Sequence, residues 1–389
     1  MDFQNTEIAY KLKSNRQLLK TFFIFRLISN SILVSICTKI ITWSLRFNLP
    51  ISEILDKTVF KQFCAGMDEK DSIKIVKKLK KFNVNSYMHY ASEGVESEKD
   101  FDNNFKIIIR TINITKKKTA LPFTVFKASS LGKFNLFEKK SAGSALSEIE
   151  KQLWNKTIDR IKSCCKHAVS QNVRIFIDAE ESWIQPVIDE IAESLMEKFN
   201  QEKAIIFTTL QMYRKDRLKY LNKIIQNSIK KKYKLGIKLV RGAYMEKENE
   251  RAYKNGLPSP IFENKIQTDL SFNSALDLIL PKIEKCDLFV GTHCEKSIKK
   301  ILKWMKEKKI ANGYSKIWFS QLFGMADHIS FNLAFQGYQV VKYVPYGPIK
   351  EVVPYLIRRA EENTSVNSQL SKEIYLIKKE MKRRKFNAI

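Results

Sequence analysis

The stretch Val173-Arg-Ile-Phe-Ile-Asp-Ala-Glu-Glu-Ser-Trp-Ile-Gln-Pro-Val-Ile-Asp-Glu-Ile-Ala-Glu-Ser-Leu195 holds one complete structural unit. Its opening is rich in β-branched and aromatic side chains and reads as a strand over Val173–Ala179. The apolar spacing then changes: Ile184, Val187, Ile188, Ile191 and Leu195 recur every three or four residues, the buried face of a helix. The same alternation extends in both directions. Strands are expected at Val84–His89, Pro122–Lys127, Val173–Ala179, Ala204–Gln211, Leu235–Val240, Asp287–Thr292, Lys316–Gln321 and Gln339–Val344. Among the helices between them, Phe101–Ile112 buries Phe101, Phe105, Ile108, Ile109 and Ile112. Strand-then-helix repeated eight times predicts an α/β fold of the parallel (β/α)8, TIM-barrel type. A doubly wound open sheet normally has fewer strands and a glycine-rich first turn. Only 12 glycines occur and none are spaced G-x-G, so neither a dinucleotide fingerprint nor a P-loop is present.

At or near the C-terminal ends of these strands stand Lys127, Asp178, Gln211, Lys238 with Arg241, Thr292 with His293, Gln321 and Tyr343. In a parallel barrel those ends meet at the face where active sites are built. Any single polar residue there is ordinary, because strands emerge into solvent. Seven of eight ends with chemically capable side chains favour a site.

Three clusters carry the chemistry. Tyr343-Val-Pro-Tyr-Gly-Pro348 precedes a helical run from Pro354 to Asn363, in which Glu362 lies four residues from Arg358 and three from Arg359. Adjacent arginines near a barrel mouth suit a substrate carboxylate, with Glu362 steadying one guanidinium. On charge pattern alone a solvated basic helix face is the commoner outcome. In Lys238-Leu-Val-Arg-Gly-Ala-Tyr244, two cations and Gly242 make a seat for an anionic or electron-rich cofactor. Asp178 and Glu180 fall on one side of their strand by period two, where they would balance those cations; an ordinary strand end with a helix cap at Glu181–Ser182 fits equally well.

The formal charge is +28, from 69 Lys+Arg against 41 Asp+Glu, and suggests a polyanionic partner. However, 55 of those cations are Lys, spread along the chain, whereas a reader of phosphates or bases favours Arg. No dedicated nucleic-acid function is expected. Six cysteines without a C-x-x-C pair point to a reducing compartment, with no disulfide framework and no metal site. The apolar stretch Thr21–Leu49 is broken by Arg26, Asn30, Lys39 and Arg46, and its longest uncharged run, Leu27–Thr38, is too short to span a bilayer. It is expected to be an arm that packs on the main domain, with membrane contact the second reading. The basic segment Glu373–Ile389, with Ile374, Ile377 and Met381 on one face, reads equally as a membrane-surface helix or a frayed tail.

Taken in order, Phe126-Lys-Ala-Ser129, Ile177-Asp-Ala-Glu-Glu181, Thr209-Leu-Gln-Met-Tyr213, Lys238-Leu-Val-Arg-Gly-Ala-Tyr244, Gly291-Thr-His293, Phe319-Ser-Gln-Leu-Phe-Gly-Met325 and Tyr343…Arg358-Arg359…Glu362-Asn363 resemble the proline dehydrogenase family. The resemblance runs from about Val84 to Thr364, and Phe60-Lys-Gln-Phe-Cys-Ala-Gly66 is similar to the arm of the shorter, single-activity members. It implies a distorted (β/α)8 barrel with FAD, oxidation of L-proline to Δ1-pyrroline-5-carboxylate by hydride transfer to flavin N5, and electron delivery to a membrane quinone. By the same resemblance Lys127, Arg358 and Arg359 bind the proline carboxylate, with Glu362 beside the arginines. Tyr244, Leu322 and Tyr343 surround the ring, and Asp178 and Lys238 are catalytic. Ala179, Gln211, Arg241, Gly242, Ala243, Thr292 and His293 contact FAD. Two positions depart from many members: Lys238 replaces an Arg beside flavin N5, and Cys294 replaces an Asn.

The resulting expectation is a helical arm over 1–83, a catalytic barrel over 84–366 and a basic tail over 367–389. The chain is expected to be cytoplasmic, or peripheral on the anionic inner membrane. A separate pyrroline-5-carboxylate dehydrogenase would act downstream, since no length is left for a second catalytic domain. A related flavin barrel acting on hydroxyproline is the alternative; Tyr343 opposes it, because a phenol at the ring disfavours an added hydroxyl.

Overall fold

Eight strands alternate with helices in the computed structural model, which describes residues 2–47, 56–91, 96–365 and 367–386. The strands are β1 (Asn85–Tyr90), β2 (Phe123–Lys127), β3 (Arg174–Asp178), β4 (Ile206–Gln211), β5 (Leu235–Val240), β6 (Cys286–Gly291), β7 (Ile317–Leu322) and β8 (Val340–Tyr346). Before β1 come α1 (Thr6–Tyr10), α2 (Asn15–Ile28), α3 (Ser31–Arg46) and α4 (Glu69–Lys80). Then follow α5 (Glu98–Lys116), α6 (Phe134–Ser141), α7 (Glu148–Ser170), α8 (Gln185–Phe199), α9 (Arg217–Lys230), α10 (Met245–Lys254), α11 (Lys265–Ile279), α12 (Glu295–Glu307), α13 (Asp327–Phe335), α14 (Ile349–Ser365) and α15 (Asn367–Arg383).

The strand order is β1-β8-β7-β6-β5-β4-β3-β2. Placing β1 next to β8 is the connectivity of a (β/α)8 barrel and not of a doubly wound sheet. All eight expected strands form, within a residue or two at most ends. β8 runs two residues further than expected, so Tyr343 sits inside the strand opposite Tyr87 of β1. Pro354, expected in an early turn, lies inside α14.

Local sequence explains where helices begin. Ser147 accepts from the Glu150 amide while Glu150 reaches back to the Ser147 amide, and Ser14 with Gln17 does the same for α2. Pro186, at the start of α8, occupies a position whose amide needs no helical partner.

The chain forms two compact units, one of residues 94–319 and one of residues 1–93 with 320–389. The first is centred on stacked aromatic rings from successive strands. Phe123 lies 4.8 Å from Phe176, 5.1 Å from Phe289 and 5.1 Å from Trp318, and Phe176 lies 4.6 Å from Phe289. Edge-to-face and offset packing of this kind adds to the burial of large apolar surfaces.

In the second unit Tyr10, Leu18, Phe22, Phe25 and Ile28 form a common core with Val352, Val353 and Leu356 of α14 and Leu370, Leu376, Ile377 and Met381 of α15. One face of the apolar stretch therefore packs, through Phe22, Ile24, Phe25, Ile28 and Val34, while side chains on another face up to Phe47 are exposed; residues 48 and 49 lie outside the described residues. The C-terminal segment differs from both of its expected forms. Leu376, Ile377 and Met381 are buried, each worth roughly 1.5–3 kcal/mol. Two of the segment's cations are tied down as well: Arg384 donates to the Lys13 carbonyl at 2.7 Å and the Tyr10 carbonyl at 2.9 Å, and it shares the buried Glu380 carboxylate with Arg383. Up to residue 386 the tail is a core element with a basic outer edge.

Candidate active site

The unit of residues 94–319 brings most of the predicted residues together at the C-terminal ends of β2–β6. Register fixes the arrangement, since Lys127 lies opposite Asp178 and Thr209 lies opposite Lys238. Asp178 Oδ1 accepts from Lys238 Nζ at 2.5 Å and from Thr209 Oγ1 at 3.3 Å. The Lys238 ammonium also stands 5.0 Å from the Phe176 ring centroid. The pair is nearly dry, with side-chain exposures of 7% for Lys238 and 15% for Asp178, so each side chain has the other as its close partner.

Lys127 lies 5.8 Å from the ring centroid of Tyr244, a ring that is itself buried. Just past β3, Ala179 is buried and Glu180 turns to β2: its carboxylate accepts from the Ser129 amide at 2.9 Å and from the Ser129 hydroxyl. Burial pushes the Glu180 carboxyl up to about 7, with Glu181 adding to the rise and Lys127 and Ser129 opposing it. Asp178 and Glu180 thus serve different partners. The helix start expected at Glu181–Ser182 is also displaced, to Gln185; Ser182 instead donates to the buried Glu248.

A second network runs from β4 to β6. Gln211 Nε2 donates to the Glu180 carbonyl at 2.8 Å, and its Oε1 accepts from the Ala243 amide at 3.0 Å. Between Arg241 and Ala243, Gly242 has φ +148°, and a Cβ there would come within 2.4 Å of the Tyr213 ring. Only glycine satisfies both demands. Arg241 is held at three points: Asp269 at 2.7 Å, the Thr292 hydroxyl, and the Ser297 hydroxyl at 3.1 Å. The Thr292 oxygen also receives the Cys294 amide at 3.1 Å, and His293 is partly exposed beside it.

The unit of residues 1–93 with 320–389 carries the other predicted residues. The Tyr343 hydroxyl is hydrogen-bonded to His89 Nδ1, and its ring packs against Tyr87 at 5.2 Å and Tyr355 at 5.9 Å. Leu322, at the end of β7, is partly buried beside it. Arg358 and Arg359 are half-buried on α14, with the Arg359 guanidinium 5.4 Å from the Tyr355 ring centroid. The Glu362 side chain lies outside the described residues, so its expected contact with the arginines is not described.

Sequence reasoning missed Glu180 as the partner of Ser129, His89 as the partner of Tyr343, and Asp269 as the anchor of Arg241. Ser129 stands within the quoted Phe126-Lys-Ala-Ser129 motif and was the available signal for the first. The other two have no local signal, since their partners are 254 and 28 residues distant.

A dry ion pair, further cations and an amide-bearing strand end, all carried on (β/α)8 strands, define a barrel enzyme whose charged groups are fixed in advance. The chain belongs to the proline dehydrogenase family, an oxidoreductase family whose profile matches residues 72–372. It is 36% identical over 297 residues to the carbapenem antibiotics biosynthesis protein CarD of Pectobacterium carotovorum subsp. carotovorum, covering 76% of this chain and 77% of that protein. It is 32% identical over 428 residues to the mitochondrial proline dehydrogenase 1 of Dictyostelium discoideum, covering 98% of this chain and 75% of that one. Among solved structures, proline utilization A (PutA) from Bdellovibrio bacteriovorus inactivated by N-propargylglycine superposes with a TM-score of 0.72 at 17% identity. That likeness concerns the fold. It covers 92% of this chain and 38% of the PutA chain.

Proposed function

We propose that this chain, with FAD bound, oxidises L-proline to Δ1-pyrroline-5-carboxylate and passes the electrons to a membrane quinone. The observation that carries the reading is the Asp178–Lys238 pair at 2.5 Å, a cation held at fixed charge in a dry setting at the strand ends. A flavin supplies the two-electron acceptor for the hydride leaving the ring carbon beside nitrogen. The donor set suits it: Lys238 and Arg241 are cations, Gln211 and the Ala243 amide are already oriented, and Gly242 lets the backbone between Arg241 and Ala243 pack against Tyr213.

Lys238 would stabilise electron density gained by a bound flavin, and Asp178 holds the Lys238 side chain in place. Arg241, clamped by Asp269 and Ser297, together with Thr292 and His293, binds the cofactor's polar parts. Ala179 lines it. Lys127, Arg358 and Arg359 take the substrate carboxylate, the arginines through paired N–H donors. Tyr244, Leu322 and Tyr343 wall the ring, and the N–H proton leaves to solvent as the C=N bond forms. The product goes to a separate dehydrogenase acting on pyrroline-5-carboxylate. Quinone as acceptor places the protein on the cytoplasmic face of an anionic inner membrane.

The test is optical. Purified protein should be yellow, and anaerobic L-proline should bleach its flavin band. A colourless protein, or a band that proline leaves unchanged, refutes the reading. Tyr343, with its hydroxyl engaged by His89, favours proline over hydroxyproline. Faster quinone reduction with hydroxyproline would reverse that preference.

A further inference from the structure

Helices α2 and α3 have two apolar faces, and only one is used inside the protein. Phe22, Phe25, Ile28 and Val34 enter the core of their own unit. On the other side of α3, Ile32 is 70% exposed, Ile36 49%, Ile40 55% and Trp43 57%. Leu33 and Phe47 are exposed with them, and Phe23 and Leu27 are exposed on α2. At 3.6 residues per turn the α3 positions fall within a stripe about 100° wide. The Trp43 and Phe47 rings lie 4.9 Å apart, so the stripe ends in an aromatic pair. Scattered exposed leucines are ordinary, whereas a continuous row of large apolar side chains marks a docking surface.

Charge identifies what the surface meets. From Ile8 to Ser52 there is no Asp or Glu, while Lys11, Lys13, Arg16, Lys20, Arg26, Lys39 and Arg46 fall in that segment, in a chain of net charge +28. A second copy laid on this face would bring like charges together. An apolar layer with an anionic surface satisfies both halves of the pattern. Neither helix alone is long and apolar enough to cross a membrane; α2 and Ser31–Ile41 of α3 are so only together, across a 94° bend, and the buried face of the pair is already taken by the core of its own unit. Helices of this kind lie in the interface.

We infer that the exposed face of α2 and α3 docks on an anionic bilayer. Ile32, Ile36, Ile40, Trp43 and Phe47 enter the boundary between headgroups and acyl chains, and Arg26 and Lys39 meet the phosphates. This deepens the quinone reading, on which it rests for its purpose, by naming the surface that brings the enzyme to its acceptor.

The test uses the full-length holoprotein and vesicles of phosphatidylglycerol and phosphatidylcholine, with no turnover. Ile36→Glu combined with Ile40→Glu should lower the vesicle-bound fraction at least about tenfold, while Ile149→Glu, at a residue 71% exposed on α7, should not. In the parent, Trp43 emission should shift to the blue on these vesicles and be quenched by brominated acyl chains, and Trp43→Phe should lose that response. This second measurement stands even if the double variant folds poorly. Equal vesicle binding by the double variant, or a parent that ignores anionic vesicles, overturns the proposal. So does a double variant that changes only its sedimentation mass, which assigns the face to a second copy. Vesicle binding that persists while proline fails to reduce quinone leaves the docking surface intact and removes the quinone reading alone.

Discussion

Lys238 Nζ and Asp178 Oδ1 lie 2.5 Å apart at the ends of β5 and β3, with the Thr209 hydroxyl of the intervening β4 as the third member. Removing the carboxylate charge leaves a buried ammonium without its counterion, a change that costs about 3–5 kcal/mol when such pairs are broken. Asp178→Asn should therefore reduce kcat/KM for proline by about 100-fold, the scale of losing one fixed electrostatic group. Steady-state reduction of a soluble quinone, beside the flavin-to-protein ratio, checks this. A loss below threefold at full flavin occupancy would remove Lys238 from the chemistry.

The proposed function gives Arg358 and Arg359 to the substrate and not to the cofactor. Arg358→Ala and Arg359→Ala should each raise the proline KM by roughly 10- to 100-fold, the equivalent of one charge-assisted contact, with flavin content close to the parent's. Loss of flavin with unchanged proline affinity in the remaining holoenzyme would move the arginines to the cofactor.

Gly242 should tolerate replacement poorly. With φ +148° and a Cβ position 2.4 Å from the Tyr213 ring, Gly242→Ala adds backbone strain to a clash, about 2–4 kcal/mol together. Gly143, at φ +70° with nothing within 4 Å, is the control: Gly143→Ala carries the backbone penalty only, about 1 kcal/mol. Urea unfolding of the two variants separates the contributions. Flavin content should fall in the first and hold in the second.

Glu180 gives stability a defined pH dependence. Its folded-state pKa is raised from 4.5 to about 7, chiefly by burial. A carboxyl shifted upwards contributes stability that is complete below about pH 4.5 and is lost as pH rises through about 7. Relative to Glu180→Gln, the parent should lose on the order of 3 kcal/mol between pH 5 and pH 8. Parallel unfolding curves for the two proteins over that range would assign the titration elsewhere.

The strands were legible because each is a β-branched or aromatic run followed by a helical period, and those patterns survive in any tertiary setting. Strand-end residues such as Lys127, Asp178, Gln211 and Lys238 were legible for the same reason, since a strand's end fixes where its last polar side chain emerges. Partnerships were not. His89 and Tyr343 meet because β1 pairs with β8, a fact of closure and not of local pattern. The C-terminal helix was misread because Ile377 and Met381 show the same amphipathic spacing whether that face meets lipid or, as here, Phe22 and Phe25. The exposed stripe of α3 was obscured for the opposite reason, since a helix apolar on two faces looks from its sequence like one that is simply buried.

Lys342, a cation inside β8, is 1% exposed and pairs with Asp327 at 3.0 Å. Its Nζ also donates to the Leu322 carbonyl at 3.2 Å and to the Met325 carbonyl, while the buried Glu373 of α15 accepts from the Ala326 amide at 3.0 Å. The cluster joins β8, the start of α13 and the C-terminal helix within their unit. Burial alone would raise the Asp327 carboxyl, but Lys342 and Lys13 outweigh it and hold Asp327 below the usual carboxylate range. Asp327→Ala should cost about 3–5 kcal/mol, because it leaves the buried Lys342 without its counterion. If that loss is the penalty of a stranded charge, Asp327→Leu combined with Lys342→Met should recover most of it. Urea unfolding of the single and double variants decides between the two origins: a double variant as unstable as the single would mean that the hydrogen bonds from Lys342 to Leu322 and Met325, and not the ion pair, hold this corner of the fold.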